Sequence, residues 1–196
     1  MGTIRNPLKD YFELKERNEM RKELSKLIPE FNEIKNDDLR KKTIDAFIMA
    51  IEKGGWKPED LSKIPFTLLI KDTDVSFLEH VRAVTGICMG MAKALNSVMG
   101  SKFPVDWDIL ISGAILHDVG KLLEYKREGS QYVKSASGKL LRHPYSGVQI
   151  ATLAGLPDSV SHIIANHSHE GDHGRRTTEG ILLHHADFTS FEPLKP

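Results

Sequence analysis

Residues 114–125 read AILHDVGKLLEY, a His-Asp pair set directly after an apolar helical run. Upstream, Asp106 has the chemistry of an N-cap, and Ile109, Leu110, Gly113, Ala114 and His117 recur at the spacing of one helical face. The spacing predicts a helix that carries His117 toward the core. A single inward histidine is ordinarily a hydrogen-bonded packing residue. The weight of the pair therefore depends on what the rest of the chain sets beside it.

Toward the amino terminus, Ser76 and Glu79 form a possible capping box opening a helix that runs to about Val98. Its apolar stripe is Phe77, Val81, Val84, Cys88, Met91 and Leu95, and His80 lies on that stripe. Before a linker at Lys57–Pro65, Asp37 to Lys53 reads as a helix with Leu39, Ile44, Phe47, Ile48 and Ile51 on one face and Gly54-Gly55 as its stop. Residues 1 to about 35 place Leu8, Phe12, Leu14, Leu24, Leu27 and Ile28 at loose helical intervals, as one or two amphipathic helices would. Neither amino-terminal stretch contains a histidine, so both read as a helical cap on the core.

Toward the carboxyl terminus, Glu124–Arg142 is polar, with QYVK and KLL strand-like within it, and reads as a loop or short hairpin. Helices follow at about Tyr145–Ala154 and at Asp158–Asn166, the second capped by Asp158 after Pro157. The Gly- and His-rich run HSHEGDHGRR (167–176) leads into a last helix from about Thr178 to Phe191. The expected fold class is all-α: a compact helical bundle at 71–196 with an amino-terminal helical extension, 1–70, packed on it.

With 40% hydrophobic and 28% charged residues, the composition is that of an ordinary globular protein without a membrane-length apolar run. Lys+Arg and Asp+Glu both number 27, so no overall positive field gathers a nucleic-acid polymer, and any phosphate-bearing ligand would have to be caught locally. Cys88 is the single cysteine, which excludes an internal disulfide and a cysteine-based zinc site. With charges throughout the first twenty residues, a cytoplasmic location away from membranes is expected. Oligomeric state is open.

The nine histidines crowd into the second part of the chain. His80, His117, Asp118, His143, His167 and Asp187 are inward or loop-edge groups on successive helices. Several imidazoles and carboxylates in one core are costly unless something compensates them. A metal ion does so by taking neutral imidazole and anionic carboxylate together, and a bundle lets each helix contribute a ligand.

The pattern resembles the HD superfamily of metal-dependent phosphohydrolases, whose signature is a histidine on one helix, a His-Asp pair on a later one and a distant aspartate on a last one. Here these are His80 in FLEHVRAV, His117-Asp118 in AILHDVGKLLEY and Asp187 in LLHHADF. HDVGK is the most specific string, and the resemblance spans about residues 75–192. Members with two metals carry two further histidines, which RHPYSGVQIA and IIANHSHEG match at His143 and His167. By resemblance, His80, His117, Asp118 and Asp187 hold one divalent transition-metal ion and Asp118, His143 and His167 a second, with Asp118 bridging. Fe, Mn, Ni, Co and Zn all suit such nitrogen and oxygen ligands.

The resemblance implies hydrolysis of a nucleotide or other small phosphorylated metabolite by metal-activated water, with Asp118 and Lys121 as catalytic residues. Lys121, one turn after His117, suits a phosphate oxygen. A two-iron oxygenase cleaving a C–C or C–P bond, or a non-catalytic nucleotide-binding module, is the alternative. The Gly-Tyr-Pro string of the HD-GYP group is absent, and the corresponding loop reads EGDHGRR. Arg82 is expected to be structural, His169 a ligand-side or plain loop residue, His162 and His173 surface residues and His185 ordinary. His184 sits one turn before Asp187, where it could orient it. Lys126, Arg127, Lys134, Arg142, Arg175 and Arg176 could form a basic rim around the site.

Overall fold

The structure, a computed structural model, describes residues 7–195, with side chains from residue 14 onward, so the side chains of Leu8 and Phe12 lie outside the described part. The chain runs α1 (Pro7–Leu27), a 3-10 turn (Pro29–Glu33), α2 (Asp37–Gly54), α3 (Phe77–Met99), α4 (Trp107–Leu116) and a one-turn α5 (Lys121–Glu124). A hairpin of β1 (Tyr125–Glu128) and β2 (Gln131–Lys134) follows, then α6 (His143–Leu153), α7 (Asp158–Asn166) and α8 (Thr178–Phe191). The fold is all-α apart from that hairpin.

Local chemistry accounts for the helix boundaries. Asn36 caps α2 by accepting from Asp38 N and Leu39 N, each at 3.0 Å, and Gly55 closes it in the left-handed region at φ 72°. The Ser76/Glu79 capping box of α3 is present, with Glu79 Oε2 2.9 Å from Ser76 N and Ser76 Oγ 3.2 Å from Glu79 N. Asp106 Oδ1 caps α4 through Ile109 N at 3.1 Å.

Two boundaries differ from the sequence expectation. Helix α6 starts at His143 rather than Tyr145, because Pro144 has a φ suited to a first helical turn and needs no N–H there. Asp158 is the first residue of α7 rather than its cap, since Pro157 holds the cap position and no side chain caps the helix. Within 124–142, QYVK pairs antiparallel with Tyr125–Glu128, whereas KLL makes no strand: Ser137–Lys139 is a 3-10 turn.

One apolar core runs from Leu24, Phe31 and Phe47 through Ile115 and Leu116 to Ile150 and Ile164. The amino-terminal helices and the histidine-bearing helices thus share it. Phe31, Phe47 and Phe77 meet edge to face with ring centres 6.2 and 6.1 Å apart. Burial of each such side chain contributes about 1.5–3 kcal/mol. Thr43 and Ser112 hydroxyls at 2.7 Å tie α2 to α4. A second apolar cluster of Val84, Cys88, Leu110, Ile163 and Leu183 locks α3, α4, α7 and α8 together. These are the helices whose ends carry most of the candidate ligands. No described helix is long and apolar enough to cross a membrane.

Candidate metal centre

The bundle delivers the six candidates mostly from helix ends. His80 lies in the first turn of α3, His117 and Asp118 follow α4, His143 opens α6, His167 follows α7, and Asp187 lies in α8. All are buried except Asp187, which is partly exposed. Asp118 is their common neighbour. Its Oδ2 is 3.2 Å from His80 Nε2 and 3.4 Å from His117 Nε2, while Oδ1 is 3.2 Å from His143 Nε2 and 3.7 Å from His167 Nε2. Asp187 Oδ1 joins the first pair, 3.2 Å from His80 Nε2 and 3.9 Å from His117 Nε2. His80, His117 and Asp118 form one compact donor group and Asp118, His143 and His167 another.

The outer nitrogens say which way the lone pairs point. His117 Nδ1 lies 2.7 Å from Ala114 O, and His167 Nδ1 2.7 Å from Ile164 O. A carbonyl only accepts, so each Nδ1 carries a proton, and it is the Nε2 atom, the lone-pair nitrogen of such a ring in its neutral form, that faces inward. His143 Nδ1 faces the Glu124 carboxylate at 3.1 Å, and His80 Nδ1 faces Ser190 Oγ at 3.1 Å. The inward nitrogens of His143 and His167 then stand 3.2 Å apart, as do those of His80 and His117. Two lone pairs at that distance repel unless a cation or proton lies between them. The donor set fits divalent metal ions.

Charge inside the cluster agrees with this. Burial lowers the proton affinity of His80, yet hydrogen bonds to Asp118 and Asp187 overcome it and raise its pKa, so a proton is drawn to a place suited to a cation. Burial pushes His143 down to about 4, although Asp118 and Glu124 pull the other way. Burial alone would raise Asp118, but Lys121 and His117 hold it well below the usual carboxylate range.

Lys121 is placed differently from a free phosphate contact. Its ammonium bonds Asp118 Oδ2 at 2.6 Å and the carbonyl of Phe66 at 2.7 Å, one turn from the pair that begins the motif. The cavity over the cluster is lined by Phe66, Leu68, Leu69, Phe188 and Phe191, with the Phe66 and Phe191 rings meeting edge to face 6.0 Å apart. Of the six rim cations expected, Lys134 and Arg142 line this cavity. Lys126 pairs with Glu128, and Arg127 reaches Gly129 O along the exposed strand. Arg176 pins its own loop through Asn166 O, Ser168 O and Asp172, and Arg175 lines a separate hollow beside Trp107.

The remaining side chains sort themselves by contact. Arg82 pairs with Glu30 at 3.0 Å, tying α3 to the turn after α1. His169 lines the cavity and pairs with Asp172 at 3.0 Å. His184 Nδ1 bonds His167 O at 2.8 Å, so it steadies the loop of His167 rather than Asp187. His173 and His185 are exposed, but His162 is half-buried and its Nε2 is shielded without a partner. Sequence reasoning missed Phe66, Glu124 and Ser190. A glutamate inside the apolar run LLEY and a serine one turn after Asp187 were the available signals.

A sequence model of the HD domain matches residues 77–191, a span holding Lys121 and all six candidate ligands. The chain is 29% identical over 174 residues to dihydroneopterin 2',3'-cyclic phosphate phosphodiesterase of Methanocaldococcus jannaschii, covering 84% of this chain and 67% of that protein. It is 32% identical over 96 residues to ribonuclease Y of Acidothermus cellulolyticus, covering 49% of this chain and 17% of that one. No solved structure matches the chain.

Proposed function

The chain belongs to the HD domain family, and we propose that it is a phosphohydrolase of small phosphate esters with two divalent ions, one held on each side of Asp118. The carrying observation is that each oxygen of this one buried carboxylate faces its own pair of inward histidine nitrogens. His80, His117 and Asp187 would complete one site, and His143 and His167 the other. Ions held there supply Lewis acidity that makes water nucleophilic near neutral pH and neutralises charge on a phosphoryl group.

The chain's own groups do the rest. Lys121 has three ammonium hydrogens, of which Asp118 and Phe66 O take two, leaving one for a phosphate oxygen at the cavity floor. Lys134 and Arg142 offer further positive charge at its edge. Phe66, Phe188 and Phe191 give an apolar wall suited to a flat leaving group, which these rings shield from water. A P–O bond of the ester breaks as the water oxygen bonds to phosphorus, and the departing oxygen takes a proton. The similarity to a cyclic phosphate phosphodiesterase makes 2',3'-cyclic phosphates the first substrates to test.

The test is a panel of 2',3'-cyclic phosphates, linear diesters, phosphomonoesters and phosphonates, run with Mn, Fe, Ni, Co and Zn, with and without O2. Phosphate ester cleavage that needs metal and is indifferent to O2 is expected. Turnover only with iron and O2 would replace the hydrolase with an oxygenase, and binding without turnover would replace it with a regulatory module.

A further inference from the structure

We propose that Glu124 is a positioning residue that sets the affinity of the cation held by Asp118, His143 and His167, separately from the cation on the other side of Asp118. This rests on the two-cation reading above. The four histidines differ in what holds their outer nitrogen. His117 and His167 lean on neutral backbone carbonyls and His80 on a hydroxyl, whereas His143 Nδ1 faces a carboxylate. A carboxylate behind an imidazole fixes the ring and makes its far nitrogen a stronger donor.

Glu124 is built to stay there. It is 2% exposed and ends the one-turn α5 that begins three residues after Asp118. Its Oε2 accepts from His143 N at 2.8 Å as well as from the ring, so it grips His143 at two points. Oε1 is 3.3 Å from Lys134 and 3.8 Å from Arg142, which offset its charge. The backbone is clamped from behind: Ser135 N donates to Glu124 O at 2.8 Å, and Ser135 Oγ donates to Leu123 O at 2.7 Å. Gly138 lies so close that a Cβ there would stand 2.1 Å from Glu124 O. The hairpin and the turn after it therefore fix the glutamate, and the glutamate fixes one half of the centre.

Glu124→Gln separates this role from simple capping of α6, because the amide oxygen still accepts from His143 N while the charge behind the ring is gone. Ser190→Ala is the counterpart behind His80. Each full-length protein is stripped with chelator and titrated calorimetrically with Mn2+, and thermal unfolding is followed by circular dichroism before and after loading. The expected result is two binding steps in the parent protein, with one weakened about 10- to 100-fold by Glu124→Gln and the other by Ser190→Ala. The metal-free unfolding midpoint of Glu124→Gln should fall, because the charge facing Lys134 and Arg142 is lost, so the role is read from the affinity of one binding step against the other. Two parent steps that Glu124→Gln leaves unmoved, or weakens equally, would overturn this inference alone. A parent that takes up a single ion would overturn it together with the two-cation reading.

Discussion

Asp118 is the residue that the two histidine pairs share, because each carboxylate oxygen faces a different pair. Replacing it by Ala is expected to lower metal content at both positions and abolish cleavage while the helical signal persists; metal analysis by mass spectrometry beside circular dichroism reads this, and a variant that keeps two ions would remove the bridging role. Lys121 was nominated from its place in the HDVGK string. Its partners were not, because the carbonyl that it grips lies 55 residues upstream in sequence. Lys121→Met should destabilise the metal-free protein by about 3 kcal/mol, since it leaves the buried Asp118 charge without its ammonium. Saturating Mn2+ should recover most of that loss in denaturant midpoints, because a bound cation takes over the compensation.

At the scale of elements, the site depends on how closely α5 and α6 approach. Gly120 is the glycine of HDVGK, and a Cβ added to it would stand 2.0 Å from His143 O and 2.7 Å from Gly147 N. Backbone cannot yield as a flexible side chain would. Gly120→Ala should therefore displace the start of α6, cost about 2 kcal/mol of stability and weaken the His143 side of the centre more than the His80 side. Denaturant melts with the two-step Mn2+ titration check this, and an unchanged second step would show that α6 tolerates the shift. Helix periodicity located α2, α3, α4 and α8 well, since each buries a stripe set by its own spacing. It failed at Pro144 and Asp158, where proline geometry rather than an apolar pattern fixes the boundary. It also gave no hint that Phe66–Leu69 walls the cavity, a placement made by Lys121 and the fold around it.

For the whole molecule, metal-free stability should depend on pH with a maximum near 6.5. His143 is held at about 4 in the folded chain against 6.5 when free, so between those values the unfolded chain binds a proton that the folded one does not. Stability therefore falls as pH drops from 6.5 to 4, by about 3 kcal/mol for this group at most. Burial opposes ionisation of Glu124, but its bonds to His143 and the charge of Arg142 hold it at about 2, so its contribution is present above 4.5 and lost as pH falls toward 2. His80 has the opposite sign: its pKa is raised, so its contribution is full below 6.5 and lost as pH rises through the folded value. Chemical unfolding from pH 4 to 9, with and without Mn2+, is the measurement. The alkaline decline should shrink with metal, which replaces the proton on His80; an identical decline in both would contradict that replacement.

By itself the sequence determined the helical class and the family and nominated the six histidines and aspartates, because helical spacing and short motifs are local and survive in a string of letters. It also excluded a cysteine-based metal site, since Cys88 is the single cysteine. Only the tertiary structure decided which histidine faces which oxygen of Asp118, that Glu124 and Ser190 stand behind two of the rings, and that Arg175 and Arg176 turn away from the cavity. Those facts concern directions and distances between residues on different helices. They are set by how the shared apolar core angles each helix end, and no spacing along the chain records such an angle.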